Sequence, residues 1–400
     1  MRIHRTVRLA VTAAAVAVTA LSMVAVPALA GTRATTGDRY LAADTVLNKA
    51  ATIGGAGSTF AAPLQNAAQA AFMARAQNAT INGYQAVGSG TGESDILKKV
   101  VDWGGTDVPM SQTDIYQKEP SGYNIRASAF LEVPIALGGV AITYNLAGLS
   151  AKTPLILTAS VLANIYEGHI TNWNSAAIQA LNPKVKLPAT KIVVAARADS
   201  SGTTYIFTNF LRSAAPKVWA TQPSKAVLTL PTGGVAGSGN AGVAADIENT
   251  PNAIGYVEYS YVLLNPSLLK GVAAIVNKAG KALTPSLAGI AAAAAAKADI
   301  TTSNFSIDWQ PGATAYPIAG YTWAIVWKVN QTSDAQGTLL VKYLDWLSHS
   351  GAVNGTTAGQ DVAALQGYVP LPANIQALAR ATLLKVTGSR GQVLLGTNGG

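Results

Sequence analysis

The chain of 400 residues contains no cysteine. That excludes disulfides, thiolate metal sites and a thiol nucleophile, and it leaves no sulfur on which a lipid anchor could be built. Histidine is nearly as scarce. After His4 only His169 and His349 occur, neither with a second His or Cys at ligand spacing, so no metal site is expected. No serine meets the Gly-x-Ser-x-Gly pattern of a hydrolase elbow, and there is no Gly-x4-Gly-Lys-[Ser/Thr] phosphate loop. Gly237-Ser238-Gly239-Asn240-Ala241-Gly242 satisfies the dinucleotide fingerprint literally. It lacks a convincing apolar strand before it and reads as a flexible turn ahead of a helix, so no cofactor is expected. Only 12% of the residues are charged, and nowhere do Lys and Arg gather into the stripe that nucleic-acid binders carry.

Residues 1–30 read as a secretory signal peptide. Arg2, Arg5 and Arg8 form a basic head, Leu9 to Val26 is almost wholly apolar, and Ala28-Leu29-Ala30 offers a small-x-small cleavage site. An uncleaved anchor is the alternative, because the apolar run is near the lower limit for spanning a bilayer. The signal arginines are part of the formal charge of +9; a mature chain stays mildly basic, which suits steering of small anions and general solubility alike. Export without disulfides places stability on core burial, and the length suggests two lobes rather than one.

Residues 31–50 form a polar leader, read as a mobile arm or a short helix. Beyond it strand-like and helix-like patterns alternate, the mark of an α/β chain. Two long β-rich runs stand out, Phe130 to Tyr144, broken by Gly138-Gly139, and Ala315 to Trp327. Both suit segments that pass between lobes. The expected plan is therefore discontinuous: 51–138 with 319–400 as lobe I, 139–318 as an inserted lobe II, two hinge crossings and a cleft between. Strands are expected at 81–87, 192–196 and 254–259, and helices at 61–77, 158–166, 241–249, around the alanine run 291–296, and at about 336–349 and 371–385. The tail is expected to fray from Gly388.

Several Gly/Ser turns precede helices. Gly54-Gly55-Ala56-Gly57-Ser58-Thr59-Phe60 leads into an Ala-rich helix, Gly88-Ser89-Gly90-Thr91-Gly92 into the helix from Glu93, and Arg197-Ala198-Asp199-Ser200-Ser201-Gly202-Thr203-Thr204 into an amphipathic one. A helix start leaves backbone N–H groups unpaired at the positive end of the dipole, which favours an anion. Arg197 adds a planar charged fork, and Ser201 and Thr203 add hydroxyls. Taken alone, that last stretch is explained equally well by an ordinary N-capped helix with a solvated Arg. Two carboxylates accompany these parts, Asp107 in a turn after a short strand and Asp199 beside Arg197. A carboxylate repels an anion unless the anion carries a proton: hydrogen phosphate donates to an ionised Asp, whereas sulfate has no proton to give. The plain alternatives are a turn cap for Asp107 and a salt bridge to Arg197 for Asp199.

In chain order, Gly55-Ala56-Gly57-Ser58-Thr59-Phe60, Tyr84 to Gly92, Gly104-Gly105-Thr106-Asp107-Val108-Pro109-Met110-Ser111, Arg197 to Thr204 and Ala253 to Tyr259 resemble the serial motifs of the phosphate-binding proteins of high-affinity phosphate ABC transporters. Ile165 to Asn174 resembles that family's middle-lobe signature, and the resemblance runs from about residue 52 to about 385. It implies a two-lobe periplasmic-binding-protein fold of type II closing on one inorganic phosphate. It implies contacts from Thr59, Phe60 and Ser89, with Asp107 accepting the ligand proton and Arg197 supplying charge. Ser201, Gly202 and Thr203 would donate from a helix start, and Asp199 would orient Arg197. It further implies a monomeric, exported protein, periplasmic or released, that hands phosphate to a membrane permease without catalysis. Three departures (Ala61 for the usual Pro, Gly90-Thr91-Gly92 for Ser-Gly-Gly, and Ser200 where Gly is common) remove no contact atom. A secreted phosphatase or a surface protein on the same fold is the alternative.

Overall fold

The computed structural model describes residues 46–109, 129–149, 153–329, 332–351 and 357–395. The expected signal peptide, most of the leader and Met110-Ser111 lie outside the described residues. Among the described residues no helix is long and apolar enough to cross a membrane.

The strands are β1 (Val46–Ile53), β2 (Gly55–Gly57), β3 (Gln77–Ile81), β4 (Trp103–Thr106), β5 (Phe130–Tyr144), β6 (Ile156–Leu157), β7 (Val193–Arg197), β8 (Val235–Gly237), β9 (Ala253–Glu258), β10 (Ala274–Val276), β11 (Ala282–Leu283) and β12 (Ala319–Trp327). Seven of them form one sheet in the order β2-β4-β12-β5-β9-β7-β8. The sheet has two halves because β5 changes neighbours along its length. Phe130 to Gly139 pair antiparallel with β12, and Val140 to Tyr144 pair antiparallel with β9. Beyond β12 lies the parallel pair β4 and β2, and beyond β9 lie the parallel strands β7 and β8. The second crossing runs beside the first: Val140 N–H donates to the Ile318 carbonyl at 2.9 Å, and Tyr316 hydroxyl donates to the Val140 carbonyl at 2.9 Å. This is the two-lobe α/β plan with two crossings.

β5 and β12 are apolar along nearly their whole length because both faces of the sheet are covered. One irregularity serves the site. Pro134 has no N–H to give the ladder, and the β5–β12 register slips there, with Thr322 opposite Ala136 and Trp323 opposite Pro134. Thr322, on the edge of this bulge, reaches the site. Aromatic packing fixes the flanking helices. Phe207 of the helix Gly202–Ala214 stacks on Tyr256 of β9 at 4.5 Å. Phe72 of the helix Ala62–Met73 meets Tyr343 and Trp346 of the helix Asp334–Ser348 edge-on, each at 5.4 Å.

Some sequence expectations shift. Residues 46–50 belong to β1, paired in parallel with β3, and are neither arm nor helix. The strand expected at 81–87 is instead β3, ending at Ile81, with only Gln85 bridging to Ala56 beyond it. The second helix starts at Ser89, since Gly88 adopts a positive φ of 90° that ends the extended segment and lets the helix begin early. A short strand, β8, does precede Ser238, because pairing with β7 extends a stretch too brief to announce itself. Helices at Ala176–Leu181, Tyr259–Leu263 and Gly359–Leu365 are additional to those expected from the sequence. The tail is tied down as far as Leu395, with Gly388 N–H on Gln392 and Leu394 N–H on Val386.

Gly55 allows β2 to lie against the Trp103 ring, since a Cβ there would come within 2.0 Å of it, and Trp103 is fully buried. Gly55→Ala should therefore destabilise the protein by about 1–3 kcal/mol through overpacking. Urea unfolding measures this; an unchanged midpoint would mean that the ring has room to move.

Candidate functional site

The carboxyl ends of β2 and β4 in one half of the sheet face those of β7, β8 and β9 in the other. Ligand sites of open α/β sheets form at such ends, and nearly every residue singled out from the sequence lies there. After β2 come Ser58, Thr59 and Phe60; after β4, Asp107. Arg197 ends β7, and the turn after it caps the helix Gly202–Ala214 through Ser201, whose hydroxyl accepts from Thr204 N–H at 3.1 Å. Thr59, Phe60, Ser89, Asp107, Arg197, Ser201, Gly202 and Thr203 are all buried.

The halves meet through these residues. Gly202 N–H donates to Ser89 Oγ at 3.1 Å. Thr59 Oγ1 accepts from Asn240 N at 3.2 Å and from Asn240 Nδ2 at 2.9 Å, and the same Nδ2 donates to Thr203 Oγ1 at 3.1 Å. Gly202 must be glycine at this junction: a Cβ would fall 2.3 Å from Asp107 Oδ2 and 2.6 Å from Ser89 Oγ.

Arg197 is 1% exposed and is held as a fork. Its Nε and Nη2 donate to Asp199 Oδ1 and Oδ2 at 2.8 and 2.5 Å, and Nη1 donates to Thr203 Oγ1 at 3.4 Å. Asp199 also accepts from Gly239 N–H at 3.0 Å. Burial pushes the Asp199 carboxyl up, but the hydrogen bonds and charge of Arg197 outweigh it and hold the group below its ordinary value. Asp107 stands differently. Burial raises it to about 6, against hydrogen bonds from Thr322 and Ser58 and the charge of Arg197, while the charge of Glu93 adds to the rise. Its donors are Thr322 Oγ1 at 2.6 Å and Ser58 Oγ at 2.7 and 2.8 Å. Glu258, at the end of β9, is pushed up to about 8 by burial, against hydrogen bonds from Ser260 and Tyr368, with the charge of Asp107 adding to the rise. The cluster thus combines one oriented guanidinium, a helix start and an acceptor-only carboxylate in a water-poor setting. Such a set suits a small oxyanion that can donate one hydrogen bond.

All nine candidate residues come together, Asp199 as the partner of Arg197. Ser58, Thr322 and Asn240 join the cluster without having been singled out from the sequence. Ser58 lay inside a motif already marked, and Asn240 lay in a fourth Gly/Ser turn at a helix start, so both carried a signal. Thr322 carried none, being one residue of a buried strand until the bulge beside Pro134 is seen.

Residues 34–350 match the family model of a PBP superfamily domain. The chain is 34% identical over 331 residues to the phosphate-binding protein PstS of Xylella fastidiosa strain 9a5c, covering 82% of this chain and 83% of that one. It is 32% identical over 349 residues to the PstS of Pasteurella multocida, covering 86% and 94%. Among solved structures it resembles the periplasmic phosphate-binding protein PfluDING, bound with phosphate, with a TM-score of 0.66 at 22% identity over 87% of this chain and 98% of that one. The latter likeness concerns the fold.

The raised value of Asp107 has a thermodynamic sign. Between 3.8 and about 6 the folded chain keeps a proton that the unfolded chain has released, so this group's contribution to stability falls as pH rises through that window. Asp199 acts the other way, its contribution present above the ordinary carboxylate range and lost as pH falls below it. In phosphate-free buffer, the parent should lose about 1–3 kcal/mol relative to Asp107→Asn between pH 4 and 7. Parallel urea-stability curves across that range would contradict it.

Proposed function

Because the chain belongs to the PBP superfamily and, within it, to the PstS phosphate-binding proteins, we propose that it binds inorganic phosphate between its lobes and delivers it to the permease of an ABC transporter. One observation carries the choice of anion. Asp107, an acceptor with no proton to give when ionised, is buried in the same cluster as Arg197 and the Gly202 helix start. An anion held there by donors must itself present a proton to Asp107, which hydrogen phosphate does and sulfate does not.

In this reading Arg197, kept in position by Asp199, grips the anion with its outward N–H groups. Gly202 and Thr203 donate from the helix start, where the dipole helps, and Ser201 caps that start. Phe60 donates its N–H, and Thr59 and Ser89 offer hydroxyls from the facing half. The lobes are 51–138 with 319–400 and 139–318, turning about the paired crossings at Val140 and Ile318. Closure buries the anion and opening releases it unchanged, so the protein acts by binding and not by catalysis. It works as an exported monomer without a lipid anchor, the sequence offering no cysteine to carry one.

Isothermal titration of phosphate and sulfate tests the reading. The parent should bind phosphate and give no heat with sulfate; a folded parent without phosphate heat would sink the proposal. Asp107→Asn should narrow the gap between the two anions, because an amide donates as well as accepts, and unchanged selectivity would remove Asp107 from the role given to it. Arg197→Ala should weaken phosphate binding at least about tenfold more than Ser89→Ala, since a charge-assisted partner is lost. Equal losses would shift the grip from the guanidinium to the hydroxyls.

A further inference from the structure

A buried ion pair stands beside the site without belonging to it. Glu93, fully buried, lies four residues beyond Ser89 on the helix Ser89–Leu97, and therefore on the same helical face. Lys225 comes from the other half, in the loop between the helix Gly202–Ala214 and β8, and its Nζ donates to Glu93 Oε2. The Lys225 side chain is 12% exposed. Each end of the pair is tied to a part of the anion cluster. Glu93 Oε1 accepts from Thr106 Oγ1 at 2.7 Å, and Thr106 Oγ1 accepts from Val108 N–H at 3.2 Å, so Glu93 braces the turn that carries Asp107. The Lys225 carbonyl accepts from Ser201 N–H at 2.8 Å, which braces the cap of the Gly202 helix. The loop is itself fixed, because Thr208 Oγ1 donates to the Ser224 carbonyl at 3.2 Å and accepts from Ser224 N–H at 3.0 Å.

We propose that Glu93 and Lys225 form a closure latch, an ion pair made only when the two halves meet, which sets how long the closed form persists. The proposal rests on the reading of the protein as a two-lobe phosphate binder. Its physical basis is the cost of separating such a pair. Shielded from water, a paired carboxylate and ammonium hold each other far more firmly than on a surface, and removing one partner leaves the other buried beside a like charge, here that of Asp107. Interactions of this kind act on dissociation rather than on encounter. Neither residue is assigned to the anion, so the latch acts first on the lifetime of the complex. Both are positioning residues.

The absence of cysteine from the chain allows clean labelling. Val87 and Val227, 38% and 53% exposed, flank the junction from opposite halves. A dye on Val227→Cys reports phosphate association and dissociation by stopped flow, and spin labels on Val87→Cys with Val227→Cys report the distance between the halves. Lys225→Met should speed phosphate release roughly ten- to a hundredfold with little change in association. It should widen the spin-label distances in the absence of ligand. The double variant with Glu93→Gln should release phosphate more slowly than Lys225→Met alone, because the buried side chain facing position 225 is then uncharged. Lys225→Gln replaces Lys225→Met if the latter fails to fold. An off-rate within twofold of the parent, or additive effects in the double variant, overturns the latch. If the parent neither binds phosphate nor closes with it, the functional reading fails instead. The latch is then judged on the ligand-free distances, wider in Lys225→Met supporting it and equal overturning it.

Discussion

An arginine buried as deeply as Arg197 needs a fixed counter-charge, and the pair it makes with Asp199 organises everything near it. The carboxylate takes two of the guanidinium's donors in a planar, two-point grip, which leaves the remaining N–H groups aimed where Thr203 and the helix start point. Asp199 is held in turn by the N–H of Gly239, the first residue of the helix Gly239–Asn249. A charge that would otherwise be costly to bury thereby becomes a preset donor. Without that setting, the Gly/Ser turns around it would be ordinary helix caps.

The sheet explains how parts so far apart in sequence converge. β5 spends most of its length in one half and the rest in the other, so the parallel strands on either side present their carboxyl ends to a common centre. The two crossings lie beside each other and are few, which suits a hinge. Contacts over the centre include hydrogen bonds and an ion pair, from Ser89, Thr59, Asn240 and Lys225. Polar contacts of this kind exchange readily with water when the halves part.

The carboxyls around the centre are treated differently. Asp199, half-buried, is paired and held ionised, and buried Glu93 is matched by Lys225. Glu258 is pushed up to about 8 by burial, beside the hydroxyls of Ser260 and Tyr368, and buried Asp107 receives hydroxyl donors from Thr322 and Ser58 besides the pull of Arg197. In the proposed reading, this gradation separates the residues that position from Asp107, which is given the discriminating role. A carboxylate fully neutralised by a salt bridge has little need of a ligand's proton. One held by hydroxyls keeps acceptor capacity for it.

Much of this was legible in the sequence. The long β-rich runs Phe130 to Tyr144 and Ala315 to Trp327 announced strands passing between lobes, and the Gly/Ser turns ahead of helices announced free N–H groups, because both signals are local. The order of the motifs carried the resemblance that singled out Arg197, Asp107 and the Gly202 turn, which lie together in the fold. What the sequence left open depends on contacts between distant segments. β1 and β8 are strands only because β3 and β7 lie alongside them, and the early start of the Ser89 helix depends on the positive φ of Gly88. Thr322 reaches Asp107 from a bulge that only the pairing of β5 with β12 creates. Lys225 finds Glu93 across 132 positions of chain. Sequence determined which chemical groups the protein carries and the local shape of the turns that offer them; tertiary structure alone decided which face each other, since a hydrogen bond or ion pair between two halves is a matter of distance in space and leaves no period along the chain.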